Sequence, residues 1–79
     1  MKAVIIDDEQ KARHLLRILI EENCPQITEI EDAEDLPKGV SIINQFKPDI
    51  VFLDIEMPGY SGIQLLEFFT PEQITFEII

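Results

Sequence analysis

Two short apolar runs, Lys2–Ile6 (KAVII) and Ile50–Leu53 (IVFL), each finish in aspartate. Runs this brief and this rich in β-branched residues predict strands buried on both faces, as in the middle of a parallel sheet. A buried strand that ends in a charge delivers that charge to the sheet edge. Asp7 and Asp8 follow the first run; Asp54 follows the second, with Met57-Pro58-Gly59 turning the chain just beyond it.

The segments between these runs have helical or half-exposed patterns. From Glu9 to about Glu22, Ala12, Leu15, Leu16 and Leu19 recur at the spacing of an amphipathic helix, which Asn23 and Pro25 close. Thr28 to Ala33 alternates apolar and charged residues, the pattern of a short edge strand. Leu36, Val40, Ile43 and Phe46 mark a second helix, entered through Pro37 and ended before Pro48. Ser61 is the expected N-cap of a third helix through Phe69, with Ile63, Leu66 and Phe69 inward, and Thr70-Pro71 stops it. Phe46, Phe52, Phe68 and Phe69 are expected to pack the core, and Ile74 to Ile79 starts a further strand. Short connections and right-handed crossovers turn this alternation into an α/β fold with a doubly wound parallel sheet.

In such sheets ligands bind outside the carboxyl ends of the strands, where the winding reverses. If the first and third strands are neighbours there, Asp7, Asp8 and Asp54 share one crevice. Three carboxylates in one crevice repel unless a cation joins them, and a hard divalent ion such as Mg2+ suits carboxylate and carbonyl oxygens. Each acid also has a local alternative. Asp7 or Asp8 can cap the first helix, Asp7 with Gln10 fitting a capping box, and Asp54 fits a turn before Pro-Gly. His14, in the second turn of the first helix without a Ser, Cys or Asp partner in view, reads as a surface residue, and the lone Cys24 as an inert thiol.

Sixteen acids against six bases give a formal net charge of -10, which opposes binding of this segment to nucleic acid or an anionic membrane. With 46% hydrophobic and 28% charged residues the chain is expected to fold, and its 79 residues allow one small domain. The apolar runs are too short to span a bilayer, and the N-terminus lacks the layout of a signal peptide. A cytoplasmic location is expected.

"VIIDDE" followed by a helix, and "KPDIVFLDIEMPGYSG" after the second helix, resemble the receiver domain of two-component response regulators along the whole chain. "FLDIEMPGYSGIQLLE" is most similar to regulators that carry a LytTR-type DNA-binding domain further on. The resemblance implies a flavodoxin-like fold in which Asp54 accepts a phosphoryl group from a sensor histidine kinase. It implies that Asp8 and Asp54 bind Mg2+ directly, Asp7 through water, and Glu56 through its backbone carbonyl. The side chain of Glu56 is implied to influence how quickly water removes the phosphate, with Pro58 and Gly59 shaping the loop.

Receivers have five β-α units, with a Ser or Thr ending the fourth strand and a Lys ending the fifth; this sequence stops inside its fourth strand at Ile79. Thr75, at the start of that strand, stands at the wrong end to serve. The chain is therefore expected to be the N-terminal part of a single receiver domain, without the remaining α/β units or an output domain, and to self-associate. Two alternatives remain at this stage. One is a receiver-like binding module that does not switch by phosphorylation. The other is a phosphatase with an Asp nucleophile, which would require a second Asp where Glu56 stands.

Overall fold

Every residue of β1 (Lys2–Ile6) except Lys2 is buried, and alternate side chains enter two different cores. That is the strand expected from an unbroken apolar run, and the sheet is built outward from it. The computed structural model describes residues 1–54 and 62–79. After β1 come α1 (Gln10–Asn23), β2 (Glu29–Ala33), α2 (Leu36–Phe46), β3 (Ile50–Leu53), α3 (Gly62–Glu67), a 3-10 turn (Pro71–Gln73) and β4 (Glu77–Ile78). Among the described residues the strands form one parallel sheet in the order β2-β1-β3-β4. The chain winds outward from β1 to β2, then crosses back to β3, so the reversal lies between β1 and β3.

Val4 and Ile6 of β1, with Val51 and Leu53 of β3, pack with Leu36, Ile43, Leu65, Phe69 and Phe76. The Phe69 and Phe76 rings meet edge to face at 5.4 Å. Ala3 and Ile5 look the other way, toward Ile20 of α1 and Ile27, with Leu16, Cys24 and Phe52 half-buried beside them. Period-two alternation thus sends one strand into two cores.

α2 has the bounds its apolar spacing predicts. The Asp35 carboxylate accepts from the Lys38 backbone N–H at 2.9 Å, and Pro37 sits in the first turn. At its other end Lys47 takes a left-handed conformation (φ 52°, ψ 65°), and its N–H bonds to the Ile43 carbonyl.

Several expectations are corrected. α1 is rotated from its expected face: Leu15 and Leu19 are 58% and 47% exposed, while Leu16, Ile20 and Cys24, four residues apart, face the sheet. In this rotation Arg13 and Arg17 pair with Asp32 of β2, which apolar spacing alone does not reveal. In α3 the buried residue is Leu65 rather than Leu66, and Phe68 is 48% exposed: the helix ends at Glu67, two residues before the expected Phe69, and Leu65 and Phe69 enter the core. Residues 71–73 form a 3-10 turn in which the Thr70 N–H donates to the Gln73 side chain, so β4 begins at Glu77 rather than Ile74. The Ser61 cap, the Met57-Pro58-Gly59 turn, Glu56 and the side chain of Ile63 lie outside the described residues.

Candidate functional site

The register places the carboxylates. Ile6 of β1 pairs with Leu53 of β3, so Asp7 and Asp54 are the next residues at the C-terminal ends of two adjacent strands. The ladder runs one step past both strands: the Asp54 N–H donates to the Ile6 carbonyl (2.9 Å) and the Asp7 N–H to the Ala33 carbonyl at the end of β2 (3.1 Å). Hydrogen bonding therefore locks the main chain of both aspartates into the sheet.

Asp7, Asp8 and Asp54 each offer a carboxylate oxygen within 4.8 Å of the other two. Asp8 is exposed, and the other two are half-buried. The sequence reading brought these three together, and the structure brings them together. The capping alternative for Asp7 takes a different form: Glu9 is the N-cap of α1, its side chain makes no capping bond, and Asp7 Oδ1 instead accepts from the Glu9 N–H at 2.9 Å. That local turn leads the chain from the strand end into α1.

A cleft of about 190 Å3 adjoins the cluster, lined by Asp7, Asp54, Leu16, Phe52, Leu53 and Ile79 among others. A larger cleft of about 380 Å3, lined by Lys47, Pro48, Glu72, Thr75 and Phe76 among others, contains none of the three carboxylates. Thr75 lies there beside Pro48, before the start of β3, as its place at the wrong end of the strand predicted. His14 is exposed, and Cys24 is a half-buried free thiol that caps α1 through its backbone N–H. Away from the cluster, the hydrogen bond and charge of Glu34 raise Lys38 above the ordinary lysine value.

Sequence reasoning missed Arg13. Its guanidinium donates through Nη1 to the Asp7 carbonyl at 2.7 Å, and its Nε lies 3.4 Å from Asp32 Oδ2. Arg17 reaches the same carboxylate at 3.9 Å and the Ile30 carbonyl at 3.1 Å. The available signal was the Arg13/Arg17 spacing of four residues against an acidic position in the alternating second strand.

Residues 3–79 match the model of the response regulator receiver domain family. The chain belongs to this family. It is 42% identical over 78 residues to an uncharacterised response regulatory protein of Vibrio parahaemolyticus, covering 99% of this chain and 32% of that protein. It is 33% identical over 72 residues to the transcriptional regulatory protein BtsR of Escherichia coli, covering 91% of this chain and 30% of that protein. The receiver thus spans about a third of the length of these curated relatives. The response regulator domain of Thermotoga maritima CheB superposes with a TM-score of 0.81 at 26% identity, over 99% of this chain and 57% of that one. Receivers are regulatory modules of two-component signalling, phosphorylated by histidine kinases, and they generally bind Mg2+ through acidic residues. Among the described residues no helix is long and apolar enough to cross a membrane.

Proposed function

We propose that Asp54 of this receiver accepts a phosphoryl group from the phosphohistidine of a sensor histidine kinase. The observation that carries this reading is the meeting of Asp7, Asp8 and Asp54 within 4.8 Å at the strand ends where the winding reverses. A carboxylate oxygen of Asp54 attacks phosphorus, the phosphorus–imidazole nitrogen bond breaks, and an aspartyl phosphate remains on the chain. Little covalent chemistry is asked of the protein; positioning and charge compensation do most of the work.

The donor set fits Mg2+. Three carboxylates with oxygens within 4.8 Å of one another would supply the hard oxygen donors that such an ion takes. We assign Asp8 and Asp54 to direct contact, Asp7 to contact through water, and the backbone carbonyl of Glu56 as a further ligand. The bound ion supplies charge neutralisation for the transferring phosphoryl oxygens.

The same reading extends to the whole protein. The chain is the N-terminal part of a longer regulator, and a further domain, of the LytTR type suggested by the third-strand motif, carries any contact with DNA. The length of the relatives and the name of BtsR support this. The receiver works in the cytoplasm as an acceptor, assisting at most its own phosphorylation and dephosphorylation. Exposed Leu15, Leu19, Phe68 and Ile79 support self-association of the chain; a monodisperse monomer in light scattering at high concentration refutes that part.

The test is intact mass after incubation with Mg2+ and acetyl phosphate, on this chain and on Asp54→Asn. One added phosphoryl group that disappears in the variant is the expected result. No addition to the chain, or equal addition to the variant, overturns the assignment.

A further inference from the structure

Asp7 is held from three sides, and only one of its holders is a side chain. Its N–H donates to the Ala33 carbonyl at 3.1 Å, its Oδ1 accepts from the Glu9 N–H at 2.9 Å, and its carbonyl accepts from Arg13 Nη1 at 2.7 Å. The last of these bonds fixes the plane of the peptide that joins Asp7 to Asp8. Rotation of that peptide would swing the Asp8 carboxylate relative to Asp54. The Arg13 side chain is only 14% exposed and is anchored in turn, its Nε 3.4 Å from Asp32 of β2. A charge-assisted bond from a planar, anchored fork is stronger and more directional than one from a mobile ammonium.

We infer that Arg13, braced by Asp32, is a positioning residue that sets the Asp7–Asp8 peptide and so holds both carboxylates close to Asp54, where they would hold a divalent cation. This rests on the reading of the three aspartates as a cation site. Arg13 acts through a main-chain carbonyl and not on the ion or the phosphoryl group, as a partner behind the ligands does in metal sites generally. Its positive charge stands behind the cluster without taking the place of the cation.

Arg17 supplies the control. It touches the same Asp32 carboxylate and the Ile30 carbonyl, but its bonds go to β2 and not to Asp7. A purely structural role for the arginine pair predicts that Arg13 and Arg17 variants lose stability alike and leave cation affinity alone. A positioning role predicts a split between them.

The experiment is calorimetric titration with MgCl2 of the chain and of Arg13→Lys, Asp32→Asn and Arg17→Gln, with melting temperature measured on each. Arg13→Lys keeps the charge and the helix propensity, so affinity is read on a folded chain. The expected result is Mg2+ affinity weakened about tenfold in Arg13→Lys, a smaller loss in Asp32→Asn, and affinity within twofold of the parent in Arg17→Gln despite its lowered melting temperature. Acetyl phosphate labelling of Arg13→Lys should recover as Mg2+ is raised to saturation. Parental Mg2+ affinity in Arg13→Lys, or an equal loss in Arg17→Gln, overturns the inference while leaving the cation site standing. Failure of the unaltered chain to bind Mg2+ overturns the reading of the site, and the inference with it.

Discussion

Gly39 sits in α2 where the helix crosses Ile6, the last residue of β1 before the acidic pair. A Cβ added there would stand 2.4 Å from Ile6 Cδ1 and 2.9 Å from its Cγ1, against about 3.5–4.0 Å for an ordinary carbon contact. Turning the outer bond of Ile6 moves Cδ1 aside but leaves Cγ1 in place. Ile6 is fully buried, so it has no room to withdraw without moving the strand. Overpacking of this kind costs about 1–3 kcal/mol, and the clash at Cγ1 argues for the upper half of that range. Replacing glycine by alanine inside a helix returns about 1 kcal/mol. Gly39→Ala is therefore expected to destabilise the chain by about 1–2 kcal/mol.

Urea denaturation measures this, and a double-mutant cycle with Ile6→Ala isolates the cause. Ile6→Ala alone should cost about 2–5 kcal/mol. It removes both clashing carbons, so Gly39→Ala in the alanine background should stabilise by about 1 kcal/mol through helix propensity. The expected coupling is about 2–3 kcal/mol, well above the 0.3–0.5 kcal/mol scatter of independent sites. Gly39→Ala that stabilises the parent chain by its helix propensity, with no coupling to Ile6→Ala, would refute the close-approach argument.

Lys47 pays for a left-handed backbone without being glycine, so Lys47→Gly should raise stability by about 1 kcal/mol in the same denaturation assay. Asp35→Ala removes the cap on the Lys38 N–H and should cost about 1 kcal/mol, whereas Asp35→Asn should cost much less. If the three aspartates hold Mg2+, thermal unfolding should shift upward with MgCl2, by about 2.7 kcal/mol of stability at a hundred times Kd. Asp8→Asn should abolish that dependence and raise the melting temperature in EDTA, because it removes one of three mutually repelling charges.

Where one kind of interaction governed an element, its bounds could be read from sequence. β1, β3 and α2 are set by burial and local capping, and Lys2–Ile6, Ile50–Leu53 and Leu36–Phe46 appear as expected. The carboxylate cluster could be read because it follows from strand order and register alone: once β1 and β3 are neighbours, Asp7 and Asp54 must be adjacent. α1 resisted the same treatment because two forces act on it. Its leucines allow more than one apolar face, and the face taken buries Ile20 and also brings Arg13 and Arg17 to Asp32, a partner in contact only after β2 has docked. The 3-10 turn closed by the bond from the Thr70 N–H to the Gln73 side-chain oxygen likewise displaced the start of β4, at a place where β-branched residues suggested strand from Ile74 onward.

Concentrating anions at a sheet edge works against folding, and the architecture offsets this with interactions that do not depend on the anions being neutralised. Two carboxylates about 4 Å apart repel by about 1 kcal/mol in water and about 4 kcal/mol at the effective dielectric near a protein surface. The half-buried, partly solvated cluster lies between those limits. Against that repulsion stand the burial of Ala3 through Ile6 on both faces of β1 and the ladder bonds that continue through Asp7 and Asp54. These contacts hold the main chain where it is whatever occupies the crevice. Because the backbone does not yield, the repulsion among the three carboxylates remains in the site, as the proposed cation site requires. The same rigidity explains why the arginine that braces Asp7 is placed on the carbonyl, behind the carboxylates. A guanidinium among them would relieve the repulsion and remove the reason for an ion to bind.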